Sequence, residues 1–160
     1  VTVESLRRSP LVDHPLFDGP RVSLREIPFL TMLNLRTPDA PVAPGQVAVD
    51  GERTVLWLGP DEFLLVGDGP PVESTVDVSA NRTTLELSGP HARDVLEKGC
   101  TLDLHPRAFH AGMCAQTNLA RAQVILWQTA DAPVYRLLVR ASFARYLADW
   151  LTDAAHEYRA

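Results

Sequence analysis

Thr84-Leu85-Glu86-Leu87-Ser88-Gly89-Pro90-His91-Ala92-Arg93-Asp94-Val95-Leu96 is a strand that runs directly into a helix. Its first five residues alternate polar and apolar, the period of a half-buried strand. Gly89-Pro90 then changes the period: Gly is accepted at a helix N-cap and Pro is favoured at the first helical position. Ala92, Val95 and Leu96 recur at helical spacing and form the buried stripe. Gly99 follows Lys98, which predicts a stop there with a cation near the negative helix end.

Downstream the periods change twice more. Cys114 to Thr117, Ala122 to Trp127 and Val134 to Val139 read as strands. In the second of these, Val124 and Leu126 point to one face and Ile125 and Trp127 to the other, so both faces are expected to be covered. Ser142 is the expected N-cap of a last helix whose stripe is Phe143, Leu147, Trp150, Leu151 and Ala154, with Arg145, Asp149 and Asp153 outside it. Together with a short strand at Val76 to Ser79, residues 76–160 read as a strand-helix-strands-helix core. The expected class is α+β, with a mixed or antiparallel sheet and helices on one face.

Upstream the chain is Pro-rich and loosely patterned. Residues 1–50 are expected to form an extended segment with strands packed on it: Val22 to Leu24, and another within Pro28 to Leu35. Three prolines between Pro38 and Pro44 mark a loop. Leu56-Trp57-Leu58-Gly59-Pro60-Asp61-Glu62-Phe63-Leu64-Leu65 is a hairpin of half-buried strands about a Gly-Pro-Asp-Glu turn.

With 160 residues the chain is expected to be one domain, 1–160, with a core of its own. A net charge of −5 speaks against nucleic acid, and no apolar run reaches the ~20 residues of a membrane helix. Two cysteines suit a reducing compartment. The first dozen residues hold Glu4, Arg7 and Arg8 and no apolar core, as a signal peptide would require. The cytoplasm is the expected location.

Few residues invite chemistry. Cys100, His105, His110 and Cys114 offer four zinc-type ligands within fifteen residues, but at an unfamiliar spacing that crosses a helix end and a proline. Cys100 follows a helix C-terminus, the wrong end to lower a thiol pKa. Asp61 and Glu62 read as a solvated turn, and Asp77 and Asp103 as makers of local backbone bonds. Arg136 and Arg140 share a strand face, either a solvated one or a partner's salt-bridge site. No Gly-rich phosphate cradle is present. No catalytic, cofactor or metal residue emerges. The surplus is aromatic and apolar, and Trp57, Phe109, Ile125 and Trp127 are either core or the face offered to a partner.

Read as phrases, the chain resembles the gamma subunit family of heterotetrameric sarcosine oxidase. The resemblance lies in Ser9-Pro10-Leu11, Leu56 to Glu62, Val76-Asp77-Val78-Ser79, Leu87 to Leu96, Lys98-Gly99-Cys100, Asp103-Leu104-His105-Pro106, Ser142-Phe143 and Tyr146-Leu147. It implies a subunit without a catalytic centre that packs on the alpha subunit, with beta and delta subunits in the same complex. That complex would oxidise sarcosine to glycine, releasing hydrogen peroxide and either formaldehyde or methylenetetrahydrofolate. FAD, FMN, NAD and tetrahydrofolate would sit in the large subunits and zinc in the delta subunit. The chain is also similar to the ferredoxin-like portion of the folate-binding fold of the glycine-cleavage T-protein, through Asp77-Val78-Ser79 and Gly89-Pro90-His91-Ala92. The matching stretch Asn118 to Val124 lacks that family's glycine pair and carboxylate, which implies a folate-type scaffold without its ligand site. The alternative is a stand-alone folate or one-carbon binding module.

Overall fold

The computed structural model describes residues 6–159; Glu4, used above to read the amino terminus, lies outside them. Two five-stranded sheets are stacked, with two helices on the outer side of one of them. The first sheet contains β1 (Ser23–Ile27), β7 (Arg82–Ser88), β8 (Cys114–Leu119), β9 (Ala122–Ala130) and β10 (Val134–Arg140), in the order β1-β7-β10-β9-β8. The second contains β2 (Met32–Arg36), β3 (Val47–Asp50), β4 (Arg53–Gly59), β5 (Glu62–Val66) and β6 (Thr75–Asp77), in the order β3-β4-β5-β2-β6.

Alternation within each strand builds the layers. Leu85 and Leu87 of β7, Val124 and Leu126 of β9, and Leu137 and Val139 of β10 face the helices α1 (Ala92–Glu97) and α2 (Ala144–Ala154). Ile125, Trp127, Leu138 and Cys114 point the other way and meet Met32, Leu56, Leu64 and Val66 of the second sheet. The far side of the second sheet, with Val55, Phe63 and Leu65, is covered by Val42 and Val72 from loops. Both faces of β9 are thus buried, as its double apolar pattern requires.

Several expectations are corrected. Of the mixed or antiparallel sheet expected, the antiparallel form holds for every strand pairing among the described residues, but in two sheets and not one. The second half is not ferredoxin-like in order, because that unit alternates two βαβ halves. Here the short Asp131 to Pro133 connection leaves no room for a helix, and β8, β9 and β10 form a meander between α1 and α2. The Pro-rich first fifty residues supply β1 to the first sheet and β2 and β3 to the second. The hairpin at 56–65 is present, with Gly59 opposite Glu62.

Helix α1 stops at Lys98-Gly99 as its sequence predicts, but the signals at the helix ends act otherwise than expected. Gly89 is not an N-cap: it has φ of 110°, and a Cβ there would lie 2.6 Å from the Arg21 carbonyl oxygen. It turns the chain so that the His91 amide can donate to that same oxygen at 3.1 Å. Lys98 serves the other helix, donating from Nζ to the Ala154 carbonyl oxygen at 2.6 Å and pairing with Glu157. Gly99 is required by packing, since a Cβ would lie 2.5 Å from the Trp150 ring. Ser142 does not cap α2. A 3₁₀ turn at Ala141–Phe143 precedes that helix and leaves Phe143 exposed, while Ala144, Leu147, Ala148, Leu151 and Ala154 are buried.

Candidate functional site

One row of side chains crosses the whole first sheet on the face toward the second. In register it runs Arg25, Glu86, Arg136, Trp127, Cys114. Glu86 is buried, with 9% of its side chain exposed, and is clamped from both sides. Arg25 donates from Nε to Oε1 at 2.8 Å and Arg136 donates from Nε to Oε2 at 3.2 Å. The Arg136 guanidinium also lies 5.0 Å from the centroid of the Trp127 ring, within cation–π range. Arg136 is therefore not on a solvated face. It compensates a carboxylate that burial would otherwise penalise.

At the end of that row the Cys114 thiol sits between the sheets, 3.4 Å from the carbonyl oxygens of Gln46 and Trp57. Burial pushes its pKa up to about 11, so it is the opposite of an activated nucleophile. Cys100 packs on the helical side of the same sheet, away from Cys114. His105 and His110 are exposed and bond locally, His105 accepting from the Arg107 amide at 3.2 Å. The four residues of the possible zinc run are not brought together, and no other metal-type cluster occurs among the described residues.

The remaining candidates are local. Asp77 accepts from the Ser79 amide at 2.9 Å; hydrogen bonds from the Ser79 hydroxyl and amide hold its carboxyl below the usual range. Asp103 accepts from the His105 amide at 2.9 Å. Asp61 and Glu62 both pair with Arg36 at the hairpin tip. Tyr135, the largest fully buried side chain, has its pKa raised by burial and accepts from Arg93 at 3.2 Å. Asn118 to Val124 forms the tight β8–β9 hairpin, with Ala120 in the left-handed region at φ of 52° and no carboxylate at the turn.

Of the four aromatic and apolar candidates, Phe109 lies in the cluster beneath the helices, and Ile125 and Trp127 lie between the sheets. Trp57 is half-buried, packed against both clusters that flank the second sheet, and retains accessible surface. The Arg–Glu–Arg clamp was missed at the sequence level because Thr84, Glu86 and Ser88 read as a wet face. The signal lay in the neighbouring strand: apolar Ile125 and Trp127 require that face of the sheet to be covered, so Glu86 needs a cation beside it.

The family model for the sarcosine oxidase gamma subunit family matches residues 71–157. The chain is 40% identical to sarcosine oxidase subunit gamma of Corynebacterium sp. (strain U-96), over 87% of this chain and 82% of that relative. It is 39% identical to sarcosine oxidase subunit gamma of Arthrobacter sp, over 96% of this chain and 92% of that one. Among solved structures, a chain of the heterotetrameric sarcosine oxidase from Corynebacterium sp. U-96 in complex with pyrrole 2-carboxylate matches with a TM-score of 0.85 at 39% identity, covering 97% of each chain. The glycine cleavage system aminomethyltransferase T from Bartonella henselae matches with a TM-score of 0.63 at 14% identity, over 84% of this chain and 46% of that one, a likeness of fold alone. The chain belongs to the sarcosine oxidase gamma subunit family.

Proposed function

We propose that this chain is the assembly subunit of a heterotetrameric sarcosine oxidase and contributes no catalytic group. The observation that carries the reading is the end-to-end match, at 39% identity and 97% coverage of both chains, with a chain of such a heterotetramer. The buried thiol and the self-paired carboxylates are consistent with a scaffold, since Cys114 is held protonated by burial and Glu86 and Asp77 are engaged inside the chain. In this reading the chain is a single domain that packs on the alpha subunit, with beta and delta subunits in the same complex. Trp57 offers contact surface, and Phe109, Ile125 and Trp127 support it from within. FAD, FMN, NAD, tetrahydrofolate and zinc belong to the other subunits. The complex converts sarcosine to glycine with hydrogen peroxide and formaldehyde or methylenetetrahydrofolate as products.

The test is co-expression of the tagged chain with the other three subunits, followed by pull-down and an absorption spectrum. A yellow stoichiometric complex that oxidises sarcosine, and that loses subunits when this chain is omitted, is the expected result. A colourless chain that retains none of them overturns the reading.

A further inference from the structure

A pocket of about 160 Å³ lies where the amino-terminal segment crosses the β1–β2 turn and the start of β7; Arg7, Arg8, Phe29, Arg82 and Thr83 are among its lining residues. Its chemistry is one-sided. Arg140, outside the lining but opposite Arg82 in the β7–β10 register, sets a like charge beside it. Like charges placed directly across a pair of strands are destabilising. None of these four side chains forms an ion pair or a hydrogen bond with any described residue. Each guanidinium carries five donors and stays charged under all ordinary conditions.

The nearby carboxylates relieve this only in part: the Glu62 charge favours the Arg82 cation and the Arg7 charge acts on Asp77, but each of these acids has a partner of its own. Glu26 is held by the hydroxyls of Ser9 and Thr83. Asp77 is engaged by Ser79, and Glu62 by Asn34 and Arg36. Arg82 is half-buried, and both that burial and the Arg140 charge work against its cation. A cation in that position, in a chain of net charge −5, calls for an external anion.

The rim selects among anions. Phe29 adopts φ of 62°, unusual for a bulky residue, and leaves 44% of its surface open with the Arg7 guanidinium 4.6 Å from its ring centroid. Leu6, next in the chain to Arg7, is 70% exposed. A small free anion has no use for an apolar border. Exposed aromatic and arginine side chains side by side are what protein contacts concentrate.

We propose that this pocket receives an acidic side chain, Asp or Glu, from a partner subunit, with its carboxylate lodged among Arg7, Arg8 and Arg82 and its flanking apolar residues on Phe29. The proposal rests on the assembly reading above. Its test uses the co-expressed complex with this chain wild type, Arg82→Glu, Arg8→Glu or, as a control on a distant loop, Arg107→Glu. Arg82→Glu places opposite charges on the β7–β10 pair and a like charge near Glu62, so the two effects offset and the melting temperature of the isolated chain should stay level. Recovery of the partner subunits at about 0.15 M salt should nevertheless fall roughly tenfold or more, as for a lost desolvated charge contact. Arg8→Glu, on an exposed side chain, should act in the same direction without touching the fold, and Arg107→Glu should recover partners as wild type does.

Equal recovery with both pocket variants overturns the proposal while leaving the assembly reading intact. So does calorimetric binding of acetate or sulfate to the isolated chain that Arg82→Glu abolishes without affecting assembly, which would make the pocket a small-anion site. Failure of the wild-type chain to assemble overturns both.

Discussion

Cys114 carries a pH signature that follows from its place between the sheets. Burial penalises its thiolate and pushes the thiol up from 9.0, its ordinary value in water, to about 11 in the fold. Below pH 9 both states hold the proton and the full contribution to stability is present. Between the two values the unfolded chain has released its proton while the native state keeps it. The native state then binds more protons, so stability falls as pH rises. A shift of this size corresponds to about 2–3 kcal/mol lost by pH 11. Tyr135, also raised by burial, acts in the same direction above pH 10. The measurement is therefore a difference: urea unfolding of wild type and Cys114→Ala at pH 8 and at pH 10.5. The variant should lose less stability over that interval. Parallel losses would place the thiol in contact with solvent.

At the scale of elements, β1, β7 and β10 are cross-linked on one face by the Arg25–Glu86–Arg136 clamp, and Glu86 is its only anion. Glu86→Gln keeps the shape but leaves two guanidinium groups facing a neutral amide. Arg136 is only 29% exposed and Arg25 67%, so solvent compensates the second far better than the first. We expect a loss of about 1–3 kcal/mol, below the range for a fully buried pair. A double-mutant cycle with Arg136→Met should assign more of it to Arg136 than the same cycle with Arg25→Met. Equal coupling would mean that exposure does not set the strength of the clamp. The elements that make up this layer are those that local pattern made legible. The β7–α1 passage, the two-faced β9 and the stripe of α2 each declare themselves within a dozen residues. The second sheet was legible only as pieces: the hairpin at 56–65, a strand within Pro28 to Leu35 and a short one at Val76 to Ser79, with nothing to join them. Strand β2 pairs with β5 and β6, some thirty to forty residues on, and β3 is four residues long with an exposed end, so no local period marks the pairing of the first or the presence of the second. The clamp was hidden for a related reason. A polar residue on an alternating strand reads as wet until a second sheet is known to lie over it.

The second sheet of the molecule ends in two edge strands. Among the described residues β6 pairs only with β2, and β3 pairs with β4 and is tied on its outer side only at its start, where Gln46 bridges to Met113 and the Val47 amide donates to Gly112. Each carries a large exposed apolar residue, Val49 at 78% and Val76 at 64%. Unpaired edge strands with apolar side chains template pairing with other chains. The first sheet is better guarded: Phe17 bridges to Leu24 outside β1, and Cys100 bridges to Leu119 beside β8. A chain that spends its life in a complex can leave such edges to its partners, whereas the same chain alone cannot. We therefore expect the isolated protein to self-associate through the second sheet, and Val49→Lys with Val76→Lys to shift it toward monomer. The choice of lysine separates two explanations. It takes the net charge from −5 to −3, which weakens the repulsion between molecules, so a gain in monomer would come from blocked edges and not from charge. Sedimentation velocity of the isolated wild-type and doubly substituted chains reads the outcome directly, and thermal melts should coincide because both side chains are already in water. An unchanged size distribution would locate the self-association elsewhere, and a wild-type chain that is already a clean monomer would show that these edges need no cover at all.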